Sequence, residues 1–171
     1  MPTDNKNELL PVVDEAGNVL GKMTRGELHG GSLRLHPVVH LHVFDPEGRL
    51  FLQRRPDWKD IQPGKWDTAV GGHVDYGETV EEALLREARE ELGLIGLHPR
   101  FIGRYVFTST RERELVNAFT AVVSPDAPRP SDELAGGRFW TLPEIQAAIG
   151  RDLLTPNFEQ EFQTLLRHNL P

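Results

Sequence analysis

Apolar residues recur along this chain with two different periods, and the changes between them mark out its elements. Residues 35–44 alternate as a strand does, with Leu35, Val39, Leu41 and Val43 near one face. Asp45-Pro46-Glu47-Gly48 is a turn, and residues 49–54 return as a second strand, giving an antiparallel pair. Ahead of them, residues 12–20 read as a short hairpin around a turn-rich centre, Asp14-Glu15-Ala16-Gly17-Asn18. Residues 56–65 form a polar loop. The spacing then becomes helical over residues 79–92. Thr79 stands at the N-cap, Glu82 completes a capping box, and Gly93 follows as a C′ residue. Strands follow at 101–108 and 115–123, around the charged segment Arg111-Glu112-Arg113-Glu114. A proline-rich loop occupies 124–131, a short strand 137–142, a helix with an early proline 143–149, and a last helix 157–167. Strands, helix, strands, helices in this order predict an α+β or α/β sandwich in one domain over residues 1–171, with no internal repeat or linker.

Composition narrows the function classes. The length of 171 residues allows one sizeable core, and the net charge of −7 argues against a nucleic-acid partner, which would call for a basic face. With no cysteine, disulfides, thiolate metal sites and cysteine nucleophiles are excluded. The first ten residues lack the apolar stretch of a signal peptide, and no apolar run reaches membrane-spanning length. A cytoplasmic protein without a membrane partner is the expectation.

The helix at 79–92 carries the chemistry. At about 100° per residue, Leu84, Leu85, Ala88 and Leu92 fall in one arc, which can pack on a sheet. Glu87, Glu90 and Glu91 fall in the arc beside it. Carboxylates at such spacings repel one another by a few tenths of a kcal/mol per pair, and a divalent cation removes that penalty. Oxygen-only ligands favour Mg²⁺ or Mn²⁺, which in turn hold phosphates. Acidic helices are more often simply solvated. Here, however, Gly71, Gly72 and Gly77 flank the start of the helix, where backbone can approach a ligand closely, and Glu78 can reach back to Arg86.

Residues 72–94 resemble the Nudix box. Gly72, Glu78, Arg86, Glu87, Glu90, Glu91 and Gly93 fill its defining positions, with apolar Ala88 and Leu94 at its hydrophobic ones. The likeness extends from about residue 12 to about residue 149. It implies a Nudix α/β/α sandwich with a mixed central sheet, in which the box forms a loop-helix-loop. It also implies that Glu87, Glu90, Glu91 and the backbone at Gly72 bind a divalent cation, and that Glu78, Arg86 and Gly93 are structural.

Outside the box the chain is similar to the isopentenyl-diphosphate isomerase branch of that superfamily. The likeness rests on Val13-Asp14-Glu15, Gly21, His29, Leu33-Arg34-Leu35-His36, Gln53-Arg54-Arg55, Pro63-Gly64-Lys65-Trp66-Asp67 and Gly72-His73. It implies a second candidate metal site from His29, His36, His73, Glu112 and Glu114. The isomerases have a cysteine where this chain has Gly71, and they keep the box only in degraded form. Both differences favour hydrolysis on an isomerase-like scaffold.

The expected substrate is a small phosphorylated molecule, a nucleoside di- or triphosphate or a related derivative. A pyrophosphohydrolase of this kind would cut its diphosphate linkage by attack of a cation-oriented water on phosphorus. Glu90, Glu91, Glu112 and Glu114 are the candidate catalytic carboxylates. Arg54 and Arg55 are candidates for holding phosphate, with at least one of them facing solvent. Trp66 and Trp140 read as core, and His40 and His42 as residues of a polar strand face. The alternatives are isomerase activity and a non-catalytic nucleotide-sensing module.

Overall fold

In the computed structural model, which describes residues 7–59 and 61–171, backbone hydrogen bonds build a two-stranded ribbon and a seven-stranded sheet. The reading of the first ten residues therefore falls largely outside the described residues. The ribbon pairs β1 (Leu9–Val13) with β2 (Val19–Thr24), antiparallel, with a register shift at Val12/Val13. It is longer than the predicted hairpin but turns at the same place. A short helix, α1 (Arg25–His29), follows directly. Its capping box, Thr24 with Glu27, is legible in the sequence yet was missing from the expected elements.

The main sheet is organised on β3 (Leu35–Phe44), β4 (Leu50–Arg54), β5 (Trp66–Thr68) and β6 (Val70–His73). Helix α2 (Val80–Leu92) leads to β7 (Arg100–Thr108) and β8 (Arg113–Val122). Next come β9 (Gly137–Trp140), α3 (Leu142–Ala148), α4 (Pro156–Thr164) and a 3₁₀ turn, Leu166–His168. The strand order is β5-β4-β3-β8-β7, with β6 on β3 and β9 on β4. Among the strand pairings of the described residues β3–β8 is parallel and the others are antiparallel, so the sheet is mixed.

The expected β3–β4 pair exists but is short, Val43 opposite Phe51 and Phe44 opposite Leu50. The middle of β3, from Val38 to Leu41, pairs instead with β6, a strand that sequence patterning did not mark. Glu114 was expected in a loop. It lies in β8, because pairing with both β3 and β7 already begins at Arg113 and draws the next residue into the sheet.

Two cores lie on the two faces of the sheet. Val39, Leu41, Val43, Phe51 and Phe119 meet Ala83, Leu84, Ala88 and Leu92 of α2. Phe44, Leu50, Leu52 and Trp140 meet Ile145 of α3 and Phe158 and Phe162 of α4. Trp66 packs edge-to-face on Trp140 at 5.3 Å, as expected of core residues. Leu85 corrects the helical arc: it is 44% exposed, and Ala83 takes its place against the sheet. The helix is rotated so that the glutamates, rather than Leu85, come down beside β6.

That rotation gives a stability test. Leu84→Ala should cost about 2–5 kcal/mol through loss of burial and a residual cavity. Leu85→Ala should stay within about 0.5 kcal/mol. Urea denaturation of both variants compares them directly.

Candidate active site

Arg86 is the hub around which the acidic residues of the site are arranged. Its Nε and Nη2 donate to the two oxygens of Glu78 at 2.8 and 2.9 Å, the reciprocal contact foreseen between loop and helix. Nη1 donates to Glu87 at 2.8 Å and to Glu90 at 3.3 Å, and Nη2 also donates to the His73 carbonyl at 3.1 Å. Glu78 in turn accepts from the Asp75 amide at 3.0 Å. The bidentate fork holds the Glu78 carboxyl below its ordinary range, with Arg86 the largest cause.

Glu87 and Glu91 project toward the backbone of β6, while Glu90 is half exposed. Gly71 N donates to Glu91 Oε2 at 3.1 Å. A Cβ at Gly72 would overlap the Glu87 carboxylate, so the bare backbone there is what lets this acid seat against the strand. Burial pushes the Glu87 carboxyl up to about 7, against the opposing pull of Arg86. Burial, and then the charge of Glu87, push Glu91 well above the ordinary range. Two half-buried carboxylates beside a side-chain-free backbone fit an oxygen-ligated divalent cation, which would relieve the burial penalty and the repulsion together.

On the other side of His73 lies a second cluster. His29 from the end of α1, His36 from β3, His73 from β6 and Glu112 ahead of β8 each offer one ligand atom, all within 4.8 Å of one another. His29 Nε2 lies 3.1 Å from His73 Nε2 and 3.0 Å from Glu112 Oε2. His36 Nδ1 is 3.3 Å from the Arg34 carbonyl, which can only accept, so the ring proton sits there. That leaves the buried Nε2 of His36 with no hydrogen-bond partner among the described residues. Burial lowers the pKa of both His36 and His73 and keeps their lone pairs available. This donor set also fits a cation. Glu114, expected with these four, is not part of the cluster. Burial, and then Glu112, raise its carboxyl to about 7.

The two candidate phosphate arginines separate. Arg54 is 39% exposed at its side chain and pairs with Asp57, while Arg55 turns inward to Asp67 at 3.5 Å and the Ile61 carbonyl at 2.9 Å. His40 and His42 do share the face of His36, but that face is covered by α4. Both meet the fully buried Glu161, which also accepts from Tyr105. Sequence reasoning missed Glu161. Its signal was a charge on the apolar arc of α4, between Phe158 and Phe162.

A family model described as "NUDIX domain" matches residues 34–158. An uncharacterized Nudix hydrolase of Streptomyces coelicolor is 35% identical over 153 residues, 88% of this chain and 84% of that protein. An isopentenyl-diphosphate Delta-isomerase of Brevibacterium linens is 35% identical over 151 residues, 83% of this chain and 81% of that protein. Among solved structures, a Deinococcus radiodurans protein superposes with a TM-score of 0.79 at 26% identity, over 91% of this chain and 98% of the other.

The raised carboxyls have a consequence for stability. Glu87 titrates near 7 when folded against an ordinary 4.5, so between those values the folded state holds a proton that the unfolded state has lost. Its contribution is therefore full below the lower value and is lost as pH rises through the upper one. The cation-free protein should melt at a lower Tm at about pH 8 than at about pH 6, and added Mg²⁺ should raise Tm more at the higher pH. Calorimetry across that range, with and without Mg²⁺, checks both.

Proposed function

The chain belongs to the NUDIX domain family and is a Nudix hydrolase; from that premise we propose that it cleaves the diphosphate linkage of a nucleoside di- or triphosphate or related derivative. The observation that carries this reading is the cradle of Glu87, Glu91 and side-chain-free Gly71-Gly72. A divalent cation bound there, Mg²⁺ with Mn²⁺ as substitute, would neutralise phosphate oxygens and orient a water. Glu87 and Glu91 would hold it, with the Gly72 backbone. Arg86 fixes Glu87 and draws Glu90 toward the cradle. Glu114, whose pKa of about 7 matches a proton acceptor at neutral pH, takes the proton as the water oxygen bonds to phosphorus. The bridging P–O bond breaks, and Arg55 is the candidate to steady the departing phosphate, exchanging its contact with Asp67 for one with the leaving group. Glu112 is reserved for the histidine cluster, where His29, His36 and His73 would hold a second cation. Nitrogen-rich donors of this kind suit a transition ion.

Relatives at the same level of identity are named isomerases, and Gly71 is what separates the readings. A Cβ there would meet nothing closer than His40 Cδ2 at 3.6 Å, so a cysteine would fit, and this chain carries none. Isomerisation needs an acid at one carbon and a base at another, and that position supplies neither.

The test is a panel of nucleoside diphosphates, nucleoside triphosphates, dinucleotides and nucleotide sugars, with products separated by chromatography. Mg²⁺-dependent release of a monophosphate from at least one class is expected, with no dimethylallyl diphosphate formed from isopentenyl diphosphate. Isomerase turnover by the unmodified protein would overturn the assignment.

On the preferred substrate, Glu91→Gln should lower kcat by at least about a hundredfold with the circular dichroism spectrum unchanged. A variant with wild-type kcat would remove Glu91 from the machinery.

A further inference from the structure

The hydrolytic reading leaves one buried constellation unused. Glu161 has no exposed surface, and it accepts hydrogen bonds from His40 Nδ1 at 2.8 Å, from His42 Nε2 and from the Tyr105 hydroxyl. Asn157 Nδ2 donates to the Tyr105 oxygen at 2.9 Å. Burying a carboxylate costs several kcal/mol unless its lone pairs are well satisfied, and here three strand residues are aimed at it.

His42 is fully buried, whereas the side chain of His40 keeps 13% of its surface. His40 pairs with Gly71 across β3 and β6, so the two side-chain positions leave the same face of the sheet. The edge of the ring away from Glu161 borders the space over Gly71: a Cβ there would lie 3.6 Å from Cδ2 and 4.0 Å from Nε2. That space is empty of side chain because residue 71 is glycine. The Gly71 amide holds Glu91, and the next residue seats Glu87. His40 Nε2 therefore borders the Gly71 backbone on the α4 side of the strand, one residue along from the seat of Glu87 on the opposite face.

We propose that His40 is a phosphate-binding residue of this hydrolase, donating from Nε2 to an anionic oxygen of a diphosphate lying over Gly71, with Glu161 as its positioning residue. This rests on the hydrolase reading and extends its site to the second face of β6. Because Nδ1–H is given to a carboxylate, Nε2 carries a proton only in the imidazolium form. Burial works against that form, but the charge and hydrogen bond of Glu161 outweigh it and raise His40 to about 9, with Glu114 and Asp67 adding to the effect. The groups facing the ring are Glu161 of α4, Glu114 of β8, Asp67 of β5, Tyr105 of β7 and His42 of β3 itself. The charged Nε2–H is the donor that these acids leave facing Gly71, and such a donor suits a phosphate oxygen and does not suit a hydrocarbon.

The experiment uses the full chain labelled with ¹⁵N-histidine, with inorganic pyrophosphate as the probe and Ca²⁺ present to suppress turnover. At neutral pH the His40 nitrogens should report imidazolium and shift on adding pyrophosphate. His40→Asn keeps a donor toward Glu161 but removes the Nε2 edge, and it should weaken pyrophosphate binding about tenfold or more in calorimetric titration. Glu161→Gln should move the His40 titration, and with it the alkaline limit of pyrophosphate binding, to lower pH. A purely structural network would lower Tm in these variants yet leave affinity and its pH dependence at wild-type values, which would overturn the proposal. If the variants do not fold, the wild-type titration decides alone: a neutral His40, or nitrogens unmoved by pyrophosphate, refutes it. Neither readout needs turnover, so this failure is distinct from failure of the hydrolase assay.

Discussion

Like charges brought together in a partly buried place must be held by something, and here Arg86 does most of the holding. One guanidinium contacts Glu78, Glu87, Glu90 and the His73 carbonyl, tying the loop before α2, the acidic face of α2 and the end of β6 into one unit. Its planar fork satisfies Glu78 bidentately and still has donors left over, which an ammonium could not match in the same geometry. Without it, Glu87 would stand buried beside Glu91 with only repulsion between them. The orientation of α2 depends on the same contact, since it fixes which face of the helix descends toward the strand.

Strand β6 is the element on which both halves of the site turn. On its α2 side, the missing Cβ of Gly72 admits the Glu87 carboxylate; on its α4 side, the missing Cβ of Gly71 leaves room beside His40. Two adjacent glycines in a strand ordinarily weaken it, and here the cost coincides with the place where backbone and acid must come close. The sheet supports the arrangement from both faces, with an apolar core under α2 and a buried polar network under α4.

The same scaffold accounts for relatives with two kinds of name. The three histidines and Glu112 stand as one cluster beside the cradle, four of the five residues that the resemblance to the isomerase branch implied. At residue 71 of this chain a bare backbone is bordered by a histidine anchored on a carboxylate.

Local physics explains what the sequence determined by itself. The capping box and left-handed Gly93 end of α2, the alternation of β3 and the Glu78–Arg86 contact are interactions between residues close in the chain, and each stood as expected. The Nudix box was complete for the same reason, since its parts act over one loop and one helix. Tertiary structure decided the rest. The His40–Glu161 contact joins residues 121 positions apart, and only the packing of α4 on the sheet makes a charge in its apolar arc a partner rather than a flaw. Glu114 passed from apparent loop to buried strand because the parallel β3–β8 pairing, invisible to local periodicity, begins one residue before it. Leu85 was turned to solvent because a helix wheel gives relative angles, while the absolute rotation of α2 is set by the sheet beneath it and by Arg86 beside it.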